Sequence, residues 1–109
     1  MASTYKVLGQ SNPGAASLTD VYTVPGATSA IISTIVVSNR SVVSTTFRLG
    51  IAVAGAATDL KQYLAYDAPI DSNETITFTI GATLAATDVV RIYAVLATVS
   101  VNVFGEELT

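Results

Sequence analysis

The strongest pattern in this chain is a period-two alternation of apolar and polar positions. Between residues 45 and 53 the odd-numbered positions from Phe47 onward are large and apolar. Between residues 74 and 80 isoleucine and phenylalanine alternate with threonine. Successive side chains of a β-strand point to opposite faces of a sheet, so each segment predicts a strand with one buried and one solvated face.

The same pattern continues along the chain and predicts seven or eight short strands. They fall near residues 17–24, 29–38, 45–53, 60–66, 74–80, 89–96 and 99–104. Residues 29–38 are apolar on both faces, which predicts a central strand buried on both sides. Short strands at this spacing, with no helix longer than a turn, are typical of an all-β antiparallel β-sandwich of jelly-roll or immunoglobulin-like type.

A change of parity near the C-terminus predicts a reversal at Ala97 and Thr98. Aliphatic residues occupy even positions between residues 89 and 96, and odd positions between residues 99 and 103. A shift of one residue moves every side chain of a strand to the other face, so one continuous strand cannot carry both patterns. We therefore expect a tight hairpin or a bulge there.

These segments divide the chain into an arm and one domain. Residues 1–16 contain Gly9 and Asn12-Pro13-Gly14 and lack a long alternating strand, so they are read as an extended N-terminal arm. Residues 17–109 form the predicted sandwich domain. The expected core between its sheets comprises Phe47, Leu49, Ile51, Ile76, Phe78, Ile92 and Val101.

Composition disfavours most catalytic and nucleic-acid-binding functions. The 109 residues are 50% hydrophobic and only 12% charged, and they contain no histidine and no cysteine. Disulfides, thiol catalysis and the commonest general base are therefore excluded, and we expect no cofactor and no enzymatic activity. The net charge is −3 and the five basic residues are scattered, which argues against nucleic-acid binding. The N-terminus does not resemble a secretory signal, so we expect synthesis in a cytoplasm and no membrane partner.

Two sets of mainly acidic residues are candidate sites for a metal ion or for catalysis. An oxygen-rich loop has the composition of a calcium site without the spacing of an EF-hand, and a solvated turn is the alternative; its members are Asp67, Asp71, Asn73 and Glu74. Asp20 and Asp88 are candidate paired carboxylates, but they lie beside predicted strands without any tryptophan platform, which favours ordinary surface acids.

Protein contacts are the expected use of the surface. Tyr5, Val7 and Leu8 lie in the arm, which is too short to be ordered alone and must be held by its own sheet edge or by a neighbouring subunit. Tyr63 and Tyr66 should fall on opposite faces of one strand, so at least one points outward, and we take Tyr63 as a further contact. Strand addition is the expected mode of attachment.

The order and spacing of several segments resemble a known family. They are YKVLGQ at 5–10, LTDVYTVP at 18–25, STIVVSNR at 33–40, TTFR at 45–48, LAATDVVRIY at 84–93 and VNVFGEEL at 101–108. Together they cover almost the whole chain, which resembles small β-sandwich virion structural proteins of tailed bacteriophages, frequent in phages of aquatic bacteria.

The resemblance implies a non-enzymatic subunit of the virion. Its simplest form is a multicopy capsid decoration or cement protein that contacts the major capsid or tail proteins and further copies of itself. A tail, neck or fibre component that contacts the host is an alternative within the particle. A carbohydrate-binding module is the alternative from another class, against which the absence of tryptophan counts.

Overall fold

The computed structural model describes residues 2–109, which form eight strands joined by turns. Two single-turn 3-10 helices, Val53–Gly55 and Leu60–Gln62, lie between the fourth and fifth strands. The strands are β1 (Ser3–Ser11), β2 (Thr19–Thr23), β3 (Ser29–Asn39), β4 (Thr45–Ala52), β5 (Tyr63–Ile70), β6 (Thr75–Leu84), β7 (Val89–Ala94) and β8 (Val99–Leu108).

The strands form two four-stranded antiparallel sheets that pack face to face as a β-sandwich. The first sheet has the order β1-β8-β3-β6 and the second the order β2-β7-β4-β5. Strands pair in a nested manner: β1 with β8, β2 with β7, β3 with β6, and β4 with β5. The chain is thus one long hairpin with its tip between β4 and β5, and further pairing of β3 with β8 and of β4 with β7 rolls it into two layers.

Strand β3 lies at the centre of the first sheet, as its apolar sequence predicts. Ile32, Ile35 and Val37 are fully buried, and a register shift between Ile32 and Thr34 moves the buried positions from even to odd numbers. The expectation of burial on both sides is wrong, because residues on the other face, such as Val36, are only half-buried. That face is the outer surface of the sandwich.

The core lies between the sheets and confirms the predicted alternation. Four of the seven predicted core residues are fully buried: Phe47, Leu49, Ile92 and Val101. The other three, Ile51, Ile76 and Phe78, are half-buried and pack against the rim of the core. The ring of Phe78 meets that of Phe47 edge-on, with 6.2 Å between centroids.

The chain reverses between β7 and β8, as the change of parity predicts. β7 ends at Ala94 and β8 begins at Val99. The expected hairpin or bulge is not what causes the change, because β7 belongs to the second sheet and β8 to the first. The connection crosses from one layer to the other, so the aliphatic residues on both sides of it face the same core.

The N-terminal segment is held by the edge of its own sheet, one of the two alternatives that its sequence left open. β1 pairs with β8 from Ser3 to Ser11, and the amide and carbonyl groups of Ala2 and Thr109 exchange two hydrogen bonds of 2.9 Å. The division into an arm (1–16) and a domain (17–109) stays a prediction, since pairing within one chain does not test what the segment does in an assembly.

Strand β5 begins and ends later than its sequence predicts. Residues 60–62 form a 3-10 turn in which the Asp59 carboxylate accepts a hydrogen bond from the backbone amide of Lys61. The strand then continues to Ile70, a fully buried residue, through part of the segment expected to be a loop. Pro69 is tolerated because β5 lies at a sheet edge, where one side of the strand needs no ladder hydrogen bonds.

Asn39, at the end of β3, joins three loops at one end of the sandwich. Its buried side-chain amide donates to the backbone carbonyls of Val43 and Asp71, and its Oδ1 accepts from the amide of Ser41 and the hydroxyl of Thr98. All hydrogen-bonding capacity of the amide group is therefore used inside the protein.

Candidate binding surfaces

The N-terminal contact residues are divided between surface and core. Tyr5 is 80% exposed and Val7 is 45% exposed, both on the edge strand β1. The register with β8 shifts between Val7 and Gly9, and Leu8, at the shift, is buried in the core. Tyr5 and Val7 are thus available to a partner, whereas the side chain of Leu8 contributes to the protein's own stability.

Tyr63 and Tyr66 lie on the same side of β5, so the prediction that they occupy opposite faces is wrong. Their rings meet edge-on with 4.9 Å between centroids. The pairing of β4 with β5 shifts register twice, once on either side of Leu49. Two bulges between Tyr63 and Ala68 change the alternation, and Asp67 adopts a left-handed backbone conformation with φ of 49° at one of them.

These bulges complete a cluster of aromatic and charged side chains on the outer face of the second sheet, here called the Tyr–Arg cluster. Its members are Arg48, Tyr63, Tyr66, Asp67 and Tyr93. The Arg48 guanidinium carbon lies 4.3 Å from the centroid of Tyr66 and 4.9 Å from that of Tyr93. Its Nε donates to Asp67 Oδ1 over 2.7 Å.

The charge of Arg48 is neutralised within the Tyr–Arg cluster. The hydrogen bond to Asp67 raises the pKa of the Arg48 guanidinium above its ordinary value, so the group is cationic at any physiological pH. The Arg48 guanidinium already contacts the Asp67 carboxylate and two aromatic rings. The cluster therefore presents aromatic surface and hydroxyl groups to a partner rather than an unpaired charge. Such a surface suits contact with protein or with the apolar face of a sugar.

The sequence did not predict that these five side chains form a cluster, although it indicated Tyr63 as a contact residue. Arg48 lies opposite Tyr93 in the pairing of β4 with β7, so this contact follows from sheet register. Period-two alternation indicates that both residues point outward, but it does not show which strands are neighbours. Tyr66 and Asp67 join the cluster only through the bulges.

Asp20 and Asp88 have different hydrogen-bond partners. Asp20 accepts from the Arg91 guanidinium at 2.9 Å, and Arg91 also donates to the backbone carbonyls of Gly55 and Ala56. The buried Asp88 carboxylate accepts from the backbone amides of Ala54 and Ala85, each over 2.9 Å. Asp88 therefore joins two loops beside β7, and Asp20 pairs with the β7 arginine that holds the loop at Gly55 and Ala56.

The acidic loop contains a hydrogen-bonded turn. Glu74 Oε1 accepts from the backbone amide of Asp71 over 2.8 Å, whereas Asp67 lies in the Tyr–Arg cluster. From Ala2 to the C-terminus, no group of three or more acidic side chains is placed to hold a metal ion. The hydrogen bond between Asp71 and Glu74 is the kind of contact that the solvated-turn interpretation implies.

The outer face of the first sheet is a second candidate surface, and it is nearly uncharged. Its hydroxyl and amide side chains include Gln10, Thr34, Ser38, Thr75, Thr77, Thr79, Ser100 and Asn102. Gln10 and Asn102 are joined by a hydrogen bond of 2.7 Å. Strands β3 and β6 carry no charged residue at all. The alternating threonines of β6 were the sequence signal for this face.

No helix in the described residues has the length and apolar character needed to cross a membrane. Comparison of the chain with models of protein families, with curated proteins and with solved structures found no match.

Proposed function

We propose that this chain is a non-enzymatic structural protein of a tailed-bacteriophage particle, in its simplest form a multicopy decoration or cement protein on the capsid. The observation that carries the proposal is the strand order, β1-β8-β3-β6 against β2-β7-β4-β5. A long hairpin rolled into two such layers supports the jelly-roll form of sandwich, which recurs in viral capsid and lectin domains.

Surface composition supports the same proposal. A free protein usually keeps mixed charges over its surface, which limits association. Here β3 and β6 have none, while Tyr5 and Val7 on β1 are exposed at the other edge of the same sheet. This distribution suits a subunit that is covered by neighbours in a particle. A tail, neck or fibre position would use the same surfaces, with the host in place of the capsid.

Gradient-purified particles of the phage that encodes the chain provide the test. Quantitative mass spectrometry should find the chain at many copies per major capsid protein, and antibody labelling should place it on the capsid surface. Absence from particles, in lysates that contain the protein, would refute the virion proposal. Labelling of the tail alone would retain the virion role but reject decoration.

Point variants test the role of the arm better than its deletion. Removing residues 1–16 would unpair one side of β8 and remove Leu8 from the core, so loss of assembly could follow from unfolding. Tyr5→Ser and Val7→Thr change only exposed side chains. We expect the double variant to keep its unfolding midpoint and to bind less to particles that lack the protein. Normal incorporation would show that β1 is not the attachment site.

Carbohydrate binding is a second candidate function, favoured by the Tyr–Arg cluster. Tyr66 is 51% exposed, and its ring is fixed by Arg48 and by the edge of Tyr63. A fixed aromatic ring can stack on the apolar face of a sugar. A glycan array probed with the wild type and with Tyr66→Ala would detect such binding. Signals that are absent, or identical for the two proteins, would exclude the cluster as a sugar site.

A further inference from the structure

The two sheets of the described chain have four edge strands, and three of them carry features that oppose strand addition. Exposed edges present unpaired backbone groups to which another strand can pair, and charges, bulges and proline reduce this tendency. β1 contains Lys6 and a register shift, and β2 has only five residues, with Asp20 and a register shift. β5 contains Pro69 and two register shifts.

The edge of β6 has none of these features between residues 75 and 79. This stretch pairs with β3 residue by residue without a shift, and the irregularity comes only afterwards, near Gly81 with its φ of 57°. The stretch consists of threonine, isoleucine and phenylalanine, which favour strands, and contains no proline or charge. A regular, uncharged edge strand of this composition tends to pair with a strand of another chain.

We propose that the free edge of β6 pairs with β6 of a second copy of this chain, antiparallel around a two-fold axis at Thr77. Thr77 is the centre of the regular stretch 75–79. This register places Thr75 opposite Thr79 and Ile76 opposite Phe78. Threonine pairs and pairs of aromatic with β-branched residues are favourable across antiparallel strands.

A second copy fits this edge because the strand is compatible with itself. A two-fold axis brings identical residues together, so any charge near its centre would meet a like charge, and here no charge lies between Thr75 and Leu84. The pairing would also cover the half-buried side chains of Ile76 and Phe78, which pack at the rim of the core beside this edge. The inference deepens the proposed function by assigning one partner of the subunit.

Sedimentation or light scattering of the purified chain tests the dimer. The wild type should have twice the 11.2 kDa mass of one chain. Thr77→Lys places two like charges at the axis and should weaken the dimer by about tenfold or more in dissociation constant. Thr4→Lys is the matched control, because Thr4 is an exposed threonine on β1, the opposite edge of the same sheet. Circular dichroism would verify that both variants fold.

Single cysteines test the register, since the chain contains no native cysteine. Thr77→Cys should form an interchain disulfide under mild oxidation, whereas Thr4→Cys and Thr83→Cys should remain single chains. A monomeric wild type at the highest soluble concentration would overturn the proposal. A dimer that is sensitive to Thr4→Lys and insensitive to Thr77→Lys would overturn it as well. Neither result would affect the mass-spectrometric test for presence in particles.

Discussion

Replacing Asn39 by alanine should lower the free energy of unfolding by about 2–4 kcal/mol. The wild-type side chain is 2% exposed and makes four hydrogen bonds, of 2.8 Å to the carbonyl of Val43, 3.1 Å to that of Asp71, 3.2 Å from the amide of Ser41 and 2.9 Å from Thr98. Each such bond contributes roughly 0.5–1.5 kcal/mol net. The lower part of the summed range is expected, because Val43 and Asp71 lie in exposed loops where water can replace the amide.

Asn39→Asp separates hydrogen bonding from volume. Aspartate keeps the shape and both acceptor positions, but its ionised form directs an oxygen at the carbonyls of Val43 and Asp71, which need donors. Those carbonyls and burial should raise the pKa of the introduced carboxyl above the ordinary value of about 3.9. The folded state then favours the protonated acid, so the variant should lose stability relative to wild type as pH rises above about 4.

Urea unfolding followed by circular dichroism measures both effects. Asn102→Ala is the control, because Asn102 accepts a hydrogen bond from Gln10 at the surface and its loss should cost less than about 1 kcal/mol. The reasoning would be refuted if Asn39→Ala cost no more than the control. It would also be refuted if the stability of Asn39→Asp followed that of the wild type in parallel between about pH 3 and pH 7.

Three further predictions concern packing and pH. Gly105→Ala should lower the free energy of unfolding in urea by about 1–3 kcal/mol or more, because a Cβ at Gly105 would overlap the backbone carbonyl of Ile31. Gly26 has open space around it, so the control Gly26→Ala should change stability little. Equal effects of the two substitutions would contradict the close approach of Gly105 to Ile31. Phe78→Ala should lower the free energy of unfolding by about 2–3 kcal/mol, which is less than the roughly 3–5 kcal/mol expected for a fully buried ring. A loss under about 1 kcal/mol would mean that the ring does not support the core. Hydrogen bonds from Tyr22 and Lys6 lower the pKa of Glu107, so its stabilisation is present above the unfolded-state pKa of about 4.3 and is lost as pH falls. Thermal melts in acid should therefore show a steeper loss for wild type than for Glu107→Gln, and parallel curves would contradict the linkage.

The sequence was sufficient to predict seven of the eight strands, β2 to β8, because each of them has one buried face, whereas β1 lies in the segment that was expected to be an arm. Burial of alternate side chains is a local requirement, so it leaves a period-two record along the chain. The fully buried Phe47 and Leu49 and the reversal between Ala94 and Val99 follow from that record. The reversal could be placed without knowing the topology, since a change of parity is incompatible with one continuous strand, whether the chain turns back or crosses between layers.

The features that the sequence did not predict depend on neighbouring strands. Tyr63 and Tyr66 lie on the same side of β5 because two bulges form opposite β4. The positions of such bulges depend on how the two paired strands fit together. The role of Asn39 does not follow from the local pattern either, because it depends on Asp71 and Thr98, which are distant in sequence. A side chain's partners are therefore harder to read from sequence than its burial.

The uneven distribution of charge links the proposed particle role to the proposed dimer. The second sheet carries ion pairs on its outer face, Arg48 with Asp67 and Arg91 with Asp20, whereas β3 and β6 of the first sheet carry no charge.

Pairing of two β6 edges would join the first sheets of two copies into one eight-stranded sheet. The uncharged strands β3 and β6 of both copies would then form one continuous surface at the middle of that sheet, while both Tyr–Arg clusters would stay on the opposite side of the assembly. A particle that binds the dimer through the continuous face would gain two linked contacts per binding event, so Thr77→Lys should reduce occupancy on particles as well as dimerisation. Full occupancy by the monomeric variant would show that each copy is held independently.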